Sequence, residues 1–258
     1  MADAIIELRR VEHVTVMTLA AGKANAFDPP LLDALSEAVP RAIADGARAL
    51  VITGEGAIFS GGLALPTLIT YSRAQLHQLM VTFARAMRTV LEAPIPVVAA
   101  INGNAIAGGC VLALMCDARV MVARTEKGAP RIGLNEAQLG LGLPAVVMEP
   151  ARARVPLASH TRVMLEGRLF HPVGALEVGL IDEISEPERF ESRALERAME
   201  LSTAAPLAYA QIKGALLRPI VEAIERTEQS QIEPWLDTWF SDEGQRRLHA
   251  ALARIGKK

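Results

Sequence analysis

The chain has 258 residues, of which 51% are hydrophobic and 22% charged, and 27 basic against 29 acidic side chains leave a net charge of −2. That length and apolar fraction suit one large domain, or a domain with an appended module, built around a sizeable core. The charge balance argues against a nucleic-acid surface and leaves room for a local basic patch that meets a phosphorylated cofactor.

In chain order, residues 5–8 and 14–19 alternate or run apolar as two short strands would, with 9–13 as the turn. Asp28 before Pro29 and Pro30 predicts a helix start, with the aspartate as N-cap and the prolines in the first turn. Leu31, Leu35, Val39 and Ile43 then recur on one face. Residues 49–53 read as a buried strand and lead into Gly54-Glu-Gly-Ala-Ile-Phe-Ser-Gly-Gly-Leu-Ala-Leu65, where small residues let a ligand approach the backbone. A long helix over 72–91 ends before Pro94 and Pro96.

Val97-Val-Ala-Ala-Ile101 is again a buried strand, followed by Asn102-Gly-Asn-Ala-Ile-Ala-Gly-Gly109 and an apolar helix over 110–115. Cys110 and Cys116 flank that helix, and two cysteines in an apolar stretch read as small buried hydrophobes rather than a disulfide or metal site. The repeated strand–helix order predicts parallel units wound by right-handed crossovers into a spiral; too few clean strands follow residue 125 for a closed barrel. From about residue 188 the pattern is helical only, with helices expected over 189–202, 207–228 and 232–257. Trp235 and Trp239, with Phe240 adjacent, form one helical stripe suited to core or subunit contact. His77, His160 and His171 show no catalytic or metal-binding pattern and read as surface or packing residues. No apolar stretch reaches the ~20 residues of a membrane span, and Met1-Ala-Asp-Ala4 has no export-signal character, so a cytoplasmic protein is expected.

The two glycine stretches carry the chemistry. Gly108 and Gly109 leave N–H groups bare at a helix start, where free donors and the helix dipole favour negative charge. Paired with a donor from the loop at 54–65, they have the makings of a two-donor oxyanion hole. The plainer reading of such glycines is close packing alone.

Lys23-Ala-Asn-Ala-Phe27, Ile58-Phe-Ser-Gly-Gly-Leu63, Asn102-Gly-Asn-Ala-Ile-Ala-Gly-Gly-Cys110, Gly133-Leu-Asn-Glu-Ala-Gln-Leu-Gly140 and Phe170-His-Pro-Val-Gly-Ala-Leu-Glu-Val-Gly-Leu-Ile-Asp182 together resemble the crotonase superfamily, the enoyl-CoA hydratase and isomerase fold. Each is weak alone, but they occur in family order over most of the chain. The resemblance implies an α/β fold: a crotonase-like spiral of β-β-α units over residues 1–190 holding an acyl-CoA site. It also implies a helical C-terminal region, 191–258, used for trimer assembly. It implies an acyl-CoA thioester as substrate, with coenzyme A as part of that substrate and no permanently bound cofactor or metal. The expected partners are other copies, as a homotrimer or dimer of trimers, with no nucleic acid and no membrane.

By motif position the oxyanion donors are the N–H groups of Leu63 and Gly108, with Gly61, Gly62 and Gly109 shaping the loops. Lys23, Ala24 and Ala26 resemble the segment that meets the adenine and phosphate end of coenzyme A, and Lys213 stands where relatives supply a cation from a neighbouring subunit. Family hydratases use two glutamates. The counterpart of one is Val111, which cannot titrate, and the counterpart of the other is Glu136.

One carboxylate suffices for a proton shuttle, so the expected reaction is conversion of 3-enoyl-CoA to 2-enoyl-CoA by Glu136. Alternatives are a 2-enoyl-CoA hydratase and a non-catalytic acyl-CoA-binding protein. Glu136 also has a plainer reading as a helix-start carboxylate near Asn135 as a cap. A further departure is Gly61-Gly-Leu-Ala64 where the family usually reads Ala-Gly-Ala-Asp, which places a larger side chain beside the acyl site.

Overall fold

A computed structural model describes residues 5–255. The chain opens with a hairpin, β1 (Ile6–Val11) and β2 (Val14–Leu19), paired antiparallel. The first strand is thus longer than its apolar pattern suggested: Arg9 and Arg10 belong to it, and the reversal occurs at Glu12, whose φ is 53°. Helix α1 (Pro29–Ala44) starts as expected, the Asp28 carboxylate accepting the Leu31 N–H at 3.0 Å. Strand β3 (Ala49–Gly54), the short β4 (Ile58–Ser60) and α2 (Leu65–Leu68) follow, then α3 (Arg73–Leu91), whose N-terminus carries a Ser72–Gln75 capping box. Next come β5 (Val97–Ile101), β6 (Asn104–Ile106), α4 (Gly108–Met115), β7 (Ala118–Val122) and β8 (Ile132–Gly133). The remainder comprises α5 (Ala145–Arg154), α6 (Pro172–Glu177), β9 (Glu183–Ser185), α7 (Phe190–Leu201), α8 (Pro206–Phe240) and α9 (Asp242–Ile255).

The main sheet has the order β1-β2-β3-β5-β7-β9 and is parallel beyond the first hairpin. Side chains alternate between its faces with the period of a strand. Leu50, Ile52, Val97, Ala99 and Ile101 enter the large core shared with α1, α3 and α4. Val51, Val98, Ala100 and Val120 face a second core closed by Ala194 and Ala198 of α7. Burial on both faces accounts for runs that read as continuously apolar, as parallel strands do.

Two expectations are corrected at the C-terminal side. The helices expected over 207–228 and 232–257 divide elsewhere: α8 is continuous to Phe240, and the break falls at Ser241. The polar run Thr227-Glu-Gln-Ser-Gln231 contains neither glycine nor proline, so nothing in the backbone stops the helix there. The end of the last expected helix lies outside the described residues. Among the described residues no helix is long and apolar enough to cross a membrane.

Candidate active site

A second, smaller sheet positions the site. Its three strands, β4, β6 and β8, run parallel in that order. Gly61 to Leu63 follow β4, Ala107 and Gly108 follow β6, and Asn135 and Glu136 follow β8. Segments distant in sequence therefore emerge at the carboxyl ends of neighbouring strands, where loops of an α/β fold can converge on one ligand.

The first loop is held from below. Asn25, buried and at φ 44°, donates its side-chain amide to the carbonyls of Glu55 (3.2 Å) and Ile58 (2.8 Å). The Gly61 N–H donates to Ala24 O at 2.8 Å, the Phe27 N–H to Gly62 O at 2.8 Å, and the Ala64 N–H to Phe27 O at 3.0 Å. These bonds leave the intervening Leu63 N–H without an intramolecular acceptor among the described residues. Gly62 has φ 86°, and a Cβ there would lie 2.8 Å from Ile106 O and 3.0 Å from Gly108 N. Only glycine lets the two loops touch at this point.

The second loop is strained. Ala107 adopts φ 50° and ψ −116°, a conformation that costs a residue with a Cβ about 1–3 kcal/mol. Its N–H is fixed on Gly133 O at 2.9 Å, which ties this loop to β8. Gly108 then opens α4, and its N–H has no acceptor among the described residues, as the first turn of a helix dictates. Gly109 is where α4 presses on β4: a Cβ would sit 2.3 Å from Ser60 O.

Between the loops lies a cavity of about 250 Å³ lined by Leu63, Gly108, Val111, Asn135 and Glu136. Its walls are Met80 and Phe83 of α3, Val147 of α5 and Trp235 of α8, with Ala251 and Arg254 of α9 at its margin. Glu136 is the one acid among the described lining residues. It is 8% exposed, and its Oε2 has no hydrogen-bond partner among the described residues. Burial penalises the carboxylate and pushes its pKa up to about 7, opposed only in part by its own backbone N–H. Asn135 makes no capping bond, and its Oδ1 is likewise buried without a partner, so these two residues do not form the plain helix cap that the sequence allowed.

Leu63, Gly61, Gly108, Val111 and Glu136 are brought together at the cavity, while Gly62 and Gly109 pack the loops behind it. Lys23 is exposed on the turn beside Ala24, which reaches the site through its bond to Gly61; Ala26 is half-buried, and none of these three lines the cavity.

Lys213 requires correction. It is 7% exposed, its ammonium donates to Asp117 Oδ2 at 2.7 Å and Ile95 O at 3.2 Å, and it lies outside the cavity lining. A cation so enclosed and paired within its own chain is not free for a ligand's phosphate. The sequence offered only its place on a helix, which does not reveal the buried acid opposite. Phe83, Met80, Trp235 and Ala107 were missed as site residues. Trp235 carried a signal in its stripe with Trp239, but periodicity marks a buried face without saying that a cavity adjoins it.

Comparison with known proteins identifies the fold and the family. The profile described as enoyl-CoA hydratase/isomerase matches residues 9–248. Mitochondrial enoyl-CoA delta isomerase 1 of Rattus norvegicus is 27% identical over 219 residues, covering 82% of this chain and 72% of the relative. The crystal structure of enoyl-CoA hydratase EchA3 from Mycobacterium ulcerans superposes with a TM-score of 0.82 at 31% identity, covering 90% of this chain and 99% of that one. Human mitochondrial delta3-delta2-enoyl-CoA isomerase shares the fold with a TM-score of 0.92 at 23% identity, over 98% of this chain and 99% of that one. The chain has the crotonase fold and belongs to the enoyl-CoA hydratase/isomerase family.

Proposed function

We propose that this protein moves the double bond of a 3-enoyl-CoA thioester to position 2, with Glu136 as the only acid–base group. The Glu136 carboxylate takes a proton from C2, and the electron pair left behind is delocalised onto the thioester oxygen. The N–H groups of Leu63 and Gly108 hold that oxyanion, each donor contributing on the order of 3 kcal/mol to the transition state. Glu136 returns the same proton to C4, the double bond settles between C2 and C3, and the carboxylate is regenerated. A pKa near neutrality suits a group that must accept and then give a proton, an action worth roughly 10²–10⁴-fold.

The observation that carries this reading is that Glu136 is the single carboxylate among the described residues lining the cavity. Hydration needs a second acid to activate or protonate across the double bond, and at the family's position for it stands Val111, 1% exposed and lining the same cavity. Coenzyme A enters as part of the substrate, with Lys23 and Ala24 beside the Gly61 loop as its contacts. The working form is a homotrimer or a dimer of trimers built through the C-terminal helices.

The test is an assay of purified protein with 3-hexenoyl-CoA and 2-hexenoyl-CoA, following conjugation and hydration separately. Conjugation without hydration, lost in Glu136→Gln by at least 10²-fold, is expected. Substantial hydration overturns the one-acid mechanism. Tight thioester binding with neither reaction makes the protein a binder or assigns it another thioester chemistry.

A further inference from the structure

We infer that the acyl group taken by this cavity is of medium length, about eight to ten carbons, and that Trp235 sets the ceiling. The inference rests on the acyl-thioester reading of the site. Volume supplies the first argument. An apolar cavity of about 150 Å³ accommodates a six-carbon ring, so the 250 Å³ here corresponds to about ten carbons on the same scale. The carbonyl end must lie against Leu63 and Gly108, which leaves the rest for the hydrocarbon tail.

The second argument is that the aromatic walls are braced. Phe83 meets Phe27 edge-to-face, with ring centroids 6.0 Å apart and planes at 74°. Phe27 is itself fixed against the oxyanion loop: a Cβ on Gly108 would touch its ring at 3.1 Å. Trp235, 4% exposed, lies against the fully buried Trp239 at a centroid distance of 5.4 Å. Neither ring can swing aside without disturbing a second one in the core, where packing is close and voids are few. Val147 and Met80 also line the cavity, and Met80 has the chain flexibility to adapt. A cavity of this kind rewards each methylene until it is full and then rejects the next.

The experiment measures kcat/KM of the wild type for 3-enoyl-CoAs of 6, 8, 10, 12 and 16 carbons. Each buried methylene is expected to raise kcat/KM by up to roughly fourfold, with a maximum at 8–10 carbons and a fall of at least tenfold by 16. Trp235→Ala is expected to move the maximum at least two carbons longer; Met80→Ala, which opens the flexible part of the same wall, serves if the tryptophan variant does not fold. A profile that stays level or rises to 16 carbons overturns the inference, as does a folded Trp235→Ala protein with an unchanged maximum.

Binding of saturated acyl-CoAs of the same lengths to Glu136→Gln separates this claim from the reaction assigned above. A ceiling in binding without turnover by the wild type refutes the isomerase reading and leaves the length limit standing. Turnover without a ceiling does the reverse.

Discussion

Exposed glutamates titrate near 4.5, whereas burial holds Glu136 at about 7. Between those values the folded protein keeps a proton that the unfolded chain has released, so stability falls as pH rises across that window and is constant outside it. The difference corresponds to roughly 3 kcal/mol. Glu136→Gln removes the burden: the variant should match the wild type below pH 4.5 and exceed it by up to that amount above pH 7, as read from denaturant midpoints at the two ends. Activity runs the opposite way. The base must be ionised, so kcat/KM for isomerisation should climb through a single ionisation near pH 7 to a plateau. A stability difference independent of pH would mean that the carboxyl is not desolvated as the structure places it.

At the scale of elements, the contact between α4 and β4 is set by one missing methyl. Gly109→Ala drives a Cβ against the Ser60 carbonyl, which is rigid backbone, and should cost about 1–3 kcal/mol while displacing the neighbouring Gly108 N–H. A loss of kcat of tenfold or more should accompany it, since small misplacements of an oxyanion donor are expensive. Gly214 in α8 is the control of opposite sign: among the described residues nothing lies within 4 Å of its Cβ position, and Gly214→Ala should stabilise the helix by about 1 kcal/mol. Thermal melts of the two variants should move in opposite directions.

The same elements show what a sequence discloses. Asp28, Ser72 and Gly108 announce helix starts because capping and glycine chemistry are local, and the long strands announce themselves by apolar runs. The sheet that assembles the site does not: β4 and β6 have three residues each and β8 two, too short for any periodicity. Ala107 gives no warning of its positive φ, since alanine ordinarily avoids it. Motif order made it legible that Leu63, Gly108 and Glu136 meet at one cavity, whereas the cavity walls from α3 and α8 depend on packing between distant segments.

Across the whole molecule, apolar side chains remain uncovered in this single chain. Leu207 and Leu216 of α8 are 87% and 71% exposed, and Leu157 and Leu165 are 83% and 73% exposed. Isolated exposed leucines need no explanation, but several on the helical side are what association of copies would bury. If the proposed trimer or dimer of trimers forms through this surface, sedimentation at micromolar concentration should give three or six chains, and Leu207→Glu combined with Leu216→Glu should shift the distribution towards the monomer. A wild type that sediments as a single chain contradicts the trimeric assembly. Beneath that surface, Lys213 and Tyr209 of α8 both donate to Asp117, at 2.7 and 3.1 Å, and fasten the long helix to the end of α4.

The three parallel strand ends also bear on how such a chain changes its reaction. In the proposed mechanism each delivers a different component: Leu63 after β4 and Gly108 after β6 as oxyanion donors, Glu136 after β8 as proton carrier. A side-chain substitution at position 111 leaves the backbone hydrogen bonds that hold the loops after β4 and β8 in place. Position 111, one turn into α4, can therefore hold an acid or an apolar side chain while the enolate cradle persists. Divergence in this architecture is modular, because the intermediate is stabilised by backbone N–H groups whereas its fate is decided by side chains at positions 111 and 136.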